Sequence, residues 1–350
     1  MKMKRFLIHT GSGIGDMAQK LPMARALKEE YPDAQIDFLM KGWSLSWQVN
    51  NNIIECQHYV RNLYWYNGEN KIHCAKLLFR LMLNHYDYAF VRDAGMLANK
   101  AAPSLWGFRI MHWSGCRNVV GFFREHVDTY VEVPDRAHYL ERDRLTLKAI
   151  GINRELKAET IDASLTDKSI LAGLDLSRKI IALSVGANKY SVIHNGTRIR
   201  YDVKSWAYDK WIMLAGELVK HGHDVILLGG RKESDELKEL NINIPESEHI
   251  MNFIGRTTLK QSLALLSVCS LVAGAEGGMM HCAAGLGKRT LTVFGGSDYL
   301  QWRPANGEIV NLYYDCAPCF GTLRAAECKY HKCLENISVE MVLNKILSMS

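Results

Sequence analysis

Four stretches of this chain place glycines, which let the backbone turn tightly and let a ligand come close, beside a charged or polar side chain. The first is Gly11-Ser-Gly-Ile-Gly-Asp16, directly after the short apolar run Arg5 to His9. Its spacing approaches the dinucleotide fingerprint G-x-G-x-x-G, but the glycines stand at 11, 13 and 15 and an acid follows them. A carboxylate there would repel a pyrophosphate at the start of the next helix. Proton removal suits it better, because the positive end of a helix favours the carboxylate, which is an acceptor. Asp16 is then either a general base or a cap for its own helix, and the residues alone leave both open.

The other three lie in the second half. Gly274-Ala-Glu-Gly-Gly-Met-Met-His281 joins a strand to a helix, so Gly277 and Gly278 can turn bare backbone N–H groups toward an anion. Glu276 and His281 add polar reach toward a sugar or phosphate, although a helical histidine taken alone is more often a packed one. Ser184-Val-Gly-Ala187 ends a strand and leads through a polar loop to Lys204-Ser-Trp206. Lys204 is placed to meet a diphosphate as a point charge, or else is a solvated lysine before a helix. Leu228-Gly-Gly-Arg-Lys-Glu233 puts a carboxylate past a strand end, where it suits ribose hydroxyls or is an ordinary acidic turn.

The elements that must position these groups alternate short β-type runs with helical segments, the pattern of an α/β chain with parallel sheets. Strands are expected at Arg5 to His9, Ile36 to Met40, Ile53 to Val60 and Tyr88 to Val91, and a helix at His138 to Ile150 closed by Gly151. The helix after Asp16 keeps Met17, Leu21, Ala24, Leu27 and Tyr31 on one face, and Pro22 should kink it unless its regular part begins near Leu21. Weak periodicity from Gly151 to Arg178 marks a junction. A second series follows: strand Ile180 to Ser184, helix Trp206 to His221 closed by Gly222, strand Val225 to Leu228, helix Thr258 to Val268, strand Leu271 to Ala273, a helix opening at Gly277 and strand Thr290 to Phe294. The expected domains are residues 1–165 and 166–350, each Rossmann-like, facing a central cleft.

With 350 residues, 48% hydrophobic and 23% charged, the chain is long enough for two globular cores. Its formal charge of +6 suits an anionic ligand such as a nucleotide diphosphate or acidic glycan, and no nucleic-acid-binding module accompanies it. The apolar run at Phe6 to Ile8 is too short for a signal peptide, and Ser262 to Ala275 is too short and punctuated to span a bilayer. A cytoplasmic protein that visits the inner membrane surface is expected. Nine cysteines include Cys316-Ala-Pro-Cys319, Cys328 and Cys333, with His331 between the last two. Four thiols in that arrangement suit a structural zinc or iron, or remain free.

In order along nearly the whole chain, Gly-Ile-Gly-Asp16, Leu-Pro-Met-Ala-Arg-Ala-Leu27, Tyr-Pro-Asp33, Ala-His-Tyr-Leu-Glu-Arg142, Lys-Ser-Trp206, Leu-Leu-Gly-Gly230, Ile-Gly-Arg-Thr257, Glu-Gly-Gly-Met-Met-His281 and Val-Phe-Gly-Gly296 resemble glycosyltransferase family 9, the lipopolysaccharide heptosyltransferases. The resemblance implies a GT-B fold with an acceptor-binding first domain and a nucleotide-sugar-binding second one. It implies inverting transfer of heptose from ADP-heptose to a glycan or lipid-linked acceptor, without a cofactor for catalysis. Asp16 would be the base, Lys204 would hold the donor phosphates, and the 276–281 turn, with Ser184 and Glu233, would hold the rest of the donor. Arg117, Arg124 and Arg142 are the candidate contacts for an anionic acceptor. Where many family members carry Asp-Ser/Thr-Gly, this chain has Glu276-Gly277-Gly278, and its loop from Asn188 to Val203 is longer than usual. Two alternatives stand beside this: a protein acceptor, toward which the cysteines lean through an iron-bearing branch of the family, and a nicotinamide-dependent oxidoreductase, against which Asp16 argues.

Overall fold

The computed structural model describes residues 3–91, 105–187, 190–194 and 197–349. The chain forms two compact units, Met1–Leu165 and Thr166–Ser350. The first is built on a six-stranded parallel sheet of β1 (Arg5–Thr10), β2 (Gln35–Lys41), β3 (Asn62–Tyr66), β4 (Tyr88–Phe90), β5 (Val119–Gly121) and β6 (Thr129–Tyr130), in the order β3-β2-β1-β4-β5-β6. Its helices are α1 (Ile14–Glu30), α2 (Ser44–Ile54), α3 (Lys71–Asn84), α4 (Leu105–Trp113) and α5 (Tyr139–Lys148). Strand order reverses between β1 and β4, and in such sheets ligands bind beyond the carboxyl ends of the strands at that reversal.

The second unit repeats the plan with β7 (Ile180–Ser184), β10 (Asp224–Leu228), β11 (Ile250–Asn252), β12 (Leu271–Ala275), β13 (Arg289–Val293) and β14 (Glu308–Val310), ordered β11-β10-β7-β12-β13-β14 and parallel throughout. Here the reversal falls between β7 and β12. The main helices are α6 (Tyr208–Lys220), α7 (Arg231–Glu239), α8 (Leu259–Val268), α9 (Gly278–Gly285) and α10 (Val339–Met349). The central strands β7, β10 and β12 are buried along their whole length, as a parallel sheet covered on both faces requires. Among the described residues no helix is long and apolar enough to cross a membrane.

Three local expectations need correction. Ile53 and Ile54 close α2 instead of opening a strand, and the Gln57 side chain then ties a turn by accepting from the Tyr59 and Val60 amides at 2.5 and 2.7 Å. The strand follows at Asn62–Tyr66. Helix α1 runs from Ile14 through Pro22 to Glu30, with Pro22 buried in its interior, so the proline does not delay the start of the regular helix. The polar stretch before Lys204 holds an antiparallel hairpin, β8 (Tyr190–His194) and β9 (Thr197–Tyr201), in which Val192 faces Ile199. Asn188, where that stretch begins, lies outside the described residues. The Asn195-Gly196 dipeptide between two β-prone runs is the sequence signal that announces such a hairpin.

Asp37 on β2 is fully buried and ties that strand to the start of the edge strand β3 and to the residues before β4. It accepts from Arg61 Nε and Nη2 at 3.0 and 2.6 Å, from Asn62 Nδ2 at 2.9 Å and from the Tyr86 hydroxyl at 2.7 Å. Burial, then the Asp37 charge, pushes the Tyr86 hydroxyl far above its usual range. Asp37→Ala should destabilise the first unit by about 2–3 kcal/mol, less than for a fully buried pair because the Arg61 guanidinium can rehydrate. Denaturant unfolding followed by tryptophan fluorescence in this unit measures that loss.

Candidate active site

Lys204 follows β9 and is buried, and its surroundings fix it. Its backbone N–H donates to Asp202 Oδ1 at 3.1 Å, which shapes the turn. The carbonyl of the preceding Val203 accepts from the Gly296 amide at 3.0 Å, and a Cβ at Gly295 or Gly296 would run into Val203. The Lys204 ammonium donates to Glu276 Oε1 at 2.6 Å and stands 4.2 Å from the centre of the Phe320 ring. A cation over an aromatic face and against a carboxylate, both out of water, is strongly oriented.

Glu276 stands directly after β12. It is 7% exposed, and its second oxygen, Oε2, is buried with no hydrogen-bond partner. A buried carboxylate oxygen left unpaired is costly unless something else satisfies it. Next comes Gly277, the N-cap of α9, extended and without a side chain to cap the helix, so the first amides of α9 face outward at its positive end. His281 is buried one turn into α9. Ser184, buried at the end of β7, lies so close to Gly274 that a Cβ there would come within 2.9 Å of its Cβ. Ser184, Lys204, Glu276, Gly277, Gly278 and His281 thus gather around the carboxyl ends of β7 and β12, at the strand reversal.

Glu233 sits on the β7–β10 side of the same region. It is buried at the third position of α7, its Oε2 accepts from the Gly230 amide at 2.7 Å, and its carboxyl group fills the space where Gly186 lacks a side chain. Asp16 holds the equivalent position in the first unit: past the end of β1, third in α1, with Oδ2 accepting from the Gly13 amide at 3.0 Å. The helix-capping role weighed for Asp16 is therefore present, and the side chain is half-buried. Lys20, one turn further on the same face of α1, pairs with Asp143 of α5.

The three arginines separate. Arg142, 2% exposed, lies on α5 next to Asp143, on the helix that packs against α1. Arg124 is exposed past the carboxyl end of β5, with its guanidinium 4.3 Å from the centre of the Tyr130 ring. Arg117 stands apart from the other two. It precedes β5, its amide donates to the Tyr86 carbonyl and its guanidinium to Asp87, whose other carboxylate oxygen accepts from the Arg5 amide. That is the amino end of the strands, and the six residues of β1 put roughly 16 Å between it and the end that carries Asp16. Composition cannot tell the two ends of a strand apart.

The cysteine segment adds a residue that sequence reading missed. The amides of Cys319 and Phe320 donate to the Gly296 carbonyl at 2.8 and 2.9 Å, and Gly321 donates to the Tyr201 hydroxyl at 2.9 Å, which holds Phe320 under Lys204. Burial first, then the charges of the other three cluster cysteines, pushes Cys333 up to about 11, and burial with Cys316 and Cys328 raises Cys319. Among the described residues no group of three or more His, Cys, Asp or Glu is arranged to hold a metal ion.

The model of the glycosyltransferase family 9 (heptosyltransferase) matches residues 115–330. Lipopolysaccharide heptosyltransferase 2 of Salmonella typhimurium is 24% identical over 99% of this chain and 98% of its own length. Lipopolysaccharide heptosyltransferase 3 of Escherichia coli is 24% identical over 85% of each. Among solved structures, E. coli ADP-heptose lps heptosyltransferase II superposes with a TM-score of 0.72 at 20% identity, covering 99% of this chain and 98% of that one. The iron-containing dodecameric glycosyltransferase TibC of enterotoxigenic E. coli gives 0.52 at 12% identity, covering 100% of this chain and 77% of that one.

Because the Lys204–Glu276 pair is buried, removing one partner strands the other. Glu276→Ala should destabilise the second unit by about 3–5 kcal/mol, whereas Lys204→Met with Glu276→Leu should lose distinctly less. Equilibrium unfolding of the two variants compares them.

Proposed function

The chain belongs to glycosyltransferase family 9, the heptosyltransferases, and from that premise we propose that it moves a heptose from ADP-heptose onto a lipopolysaccharide core or related surface glycan. The observation that carries the reading is the buried Lys204–Glu276 pair beside the Gly277-Gly278 turn, with Glu276 Oε2 unpartnered. An arriving donor supplies what that arrangement lacks. Its diphosphate takes the Lys204 ammonium and the first amides of α9, while the sugar hydroxyls satisfy the carboxylate of Glu276. His281 and Ser184 border the same space, and Glu233 is the candidate for the ribose. Membership in this family sets aside the nicotinamide-dependent alternative.

The transfer itself needs a base and a stabilised leaving group. The acceptor hydroxyl gives its proton to Asp16 as its oxygen bonds to the anomeric carbon from the face opposite the diphosphate. The bond from that carbon to the diphosphate oxygen breaks, the configuration inverts, and ADP departs with the negative charge that Lys204 and the α9 amides are placed to hold. No metal is used. Arg124 and Arg142 are the candidate contacts for an anionic, lipid-linked acceptor, which a cytoplasmic enzyme meets at the inner membrane.

A protein acceptor is the second reading, favoured by the four closely spaced cysteines Cys316, Cys319, Cys328 and Cys333 and by the fold shared with iron-containing TibC. A structural zinc or iron at those thiols belongs to the same proposal, supported by the sulfur donor set. It would stiffen the segment that carries Phe320 and take no part in the transfer. Elemental analysis of purified protein should find about one such ion per chain. A metal-free, fully folded and active protein would leave the thiols as plain packing.

Asp16→Asn should lower ADP release in the presence of acceptor by roughly 10²–10⁴-fold while donor affinity changes little. Lys204→Ala should raise the donor KM and lower kcat together. Turnover near that of the unsubstituted enzyme in Asp16→Asn would remove the carboxylate from the mechanism.

A further inference from the structure

Helix α3 is turned the wrong way for an ordinary surface helix. Its sequence, Lys-Ile-His-Cys-Ala-Lys-Leu-Leu-Phe-Arg-Leu-Met-Leu-Asn, buries only Leu77 and Leu81 fully, and both join the core of the first unit. Advancing about 100° per residue, Ile72, Phe79 and Leu83 fall on one stripe directly opposite those two. They are 72%, 65% and 61% exposed, and Met82 beside them is 47% exposed. Lys76 and Arg80 flank the stripe on one side and Lys71 on the other, all exposed. No acid occurs from Lys71 to His85. The inner face, meanwhile, is fully engaged: His73 stacks on Trp65 at 3.9 Å and reaches its carbonyl, and Cys74 bonds the Asn67 carbonyl.

We propose that the outer face of α3 docks the protein on an anionic phospholipid surface. Charge and shape together select that partner. An apolar stripe of large side chains edged by long cations is the arrangement that lies in a bilayer interface, with the aromatic and aliphatic groups dipping below the headgroups and the lysine and arginine heads reaching back to the phosphates. A second copy of the chain meeting this face symmetrically would press Lys71, Lys76 and Arg80 against their own kind. A nucleic acid would gain the cations but leave Ile72, Phe79 and Leu83 against phosphate and water. The proposal deepens the reading of a lipid-linked acceptor, and vesicle binding tests it without any sugar transfer, so either can fail alone.

The test is co-sedimentation with vesicles of phosphatidylcholine alone and of phosphatidylcholine with about one third phosphatidylglycerol. The whole chain should sediment with the anionic vesicles and much less with the neutral ones. Phe79→Glu with Leu83→Glu should lower the bound fraction about tenfold or more, and Lys76→Glu with Arg80→Glu should do so most at low salt. Both pairs are exposed, so circular dichroism and ADP release with a soluble acceptor fragment should be unchanged. Equal binding by the unsubstituted chain and Phe79→Glu/Leu83→Glu, or no binding to anionic vesicles, would overturn the proposal. So would a dimer in sedimentation velocity that this double substitution abolishes, because the face would then belong to a second copy.

Discussion

The ion pair between Lys204 and Glu276 is expensive to build and is built with care. Both side chains are nearly out of water, where a charge survives only with close partners. The surroundings supply them for the lysine: a carboxylate at 2.6 Å, an aromatic face at 4.2 Å, and a backbone turn fixed by Asp202. The glutamate is served less well, since Lys204 reaches only its Oε1 and its Oε2 is buried with no hydrogen-bond partner. The unit thus holds an ammonium and an incompletely satisfied carboxylate next to an uncapped helix start, at the place where parallel strands diverge. Such a site is stable enough to exist and gains from a ligand that brings negative charge and hydroxyl groups together.

Much of the second unit exists to keep that pair in place. Gly295 and Gly296 bring the end of β13 against Val203, and the cysteine segment bonds to the Gly296 carbonyl from the other side. Tyr201 at the end of the hairpin and Val203 just beyond it pack on Cys319 and Ala325. Glycines here serve close approach more than unusual dihedral angles. The cysteines, which looked separate from the chemistry in the sequence, are connected to it through Cys319, which packs with Val203, and through Phe320 beside Lys204.

How much of this was legible beforehand depends on whether the signal was local. The buried strands Ile180–Ser184 and Asp224–Leu228 announced themselves as apolar runs, and Gly277 announced the start of α9, because those features are carried by consecutive residues. Family resemblance drew attention to Lys204 and Glu276 separately, but nothing in either neighbourhood says that they touch. Phe320 had no signal at all, since an aromatic residue beside cysteines reads as packing. That Arg117 lies at the amino end of the sheet was not legible for a related reason: a basic residue before a strand and one after it look alike until the strand has a direction. The apolar run at Ile53 served a helix because Gln57 could satisfy the turn that follows.

If the pair is a held-open receptor for the donor, Glu276 competes with phosphate for the lysine and serves only the sugar. Isothermal titration of ADP and of ADP-heptose into the parent enzyme and into Glu276→Gln tests this directly. The account predicts that the variant binds ADP as tightly as the parent or more tightly, while the extra affinity that the heptose brings disappears. A marked fall in ADP affinity, with the preference for the sugar-bearing donor intact, would contradict it.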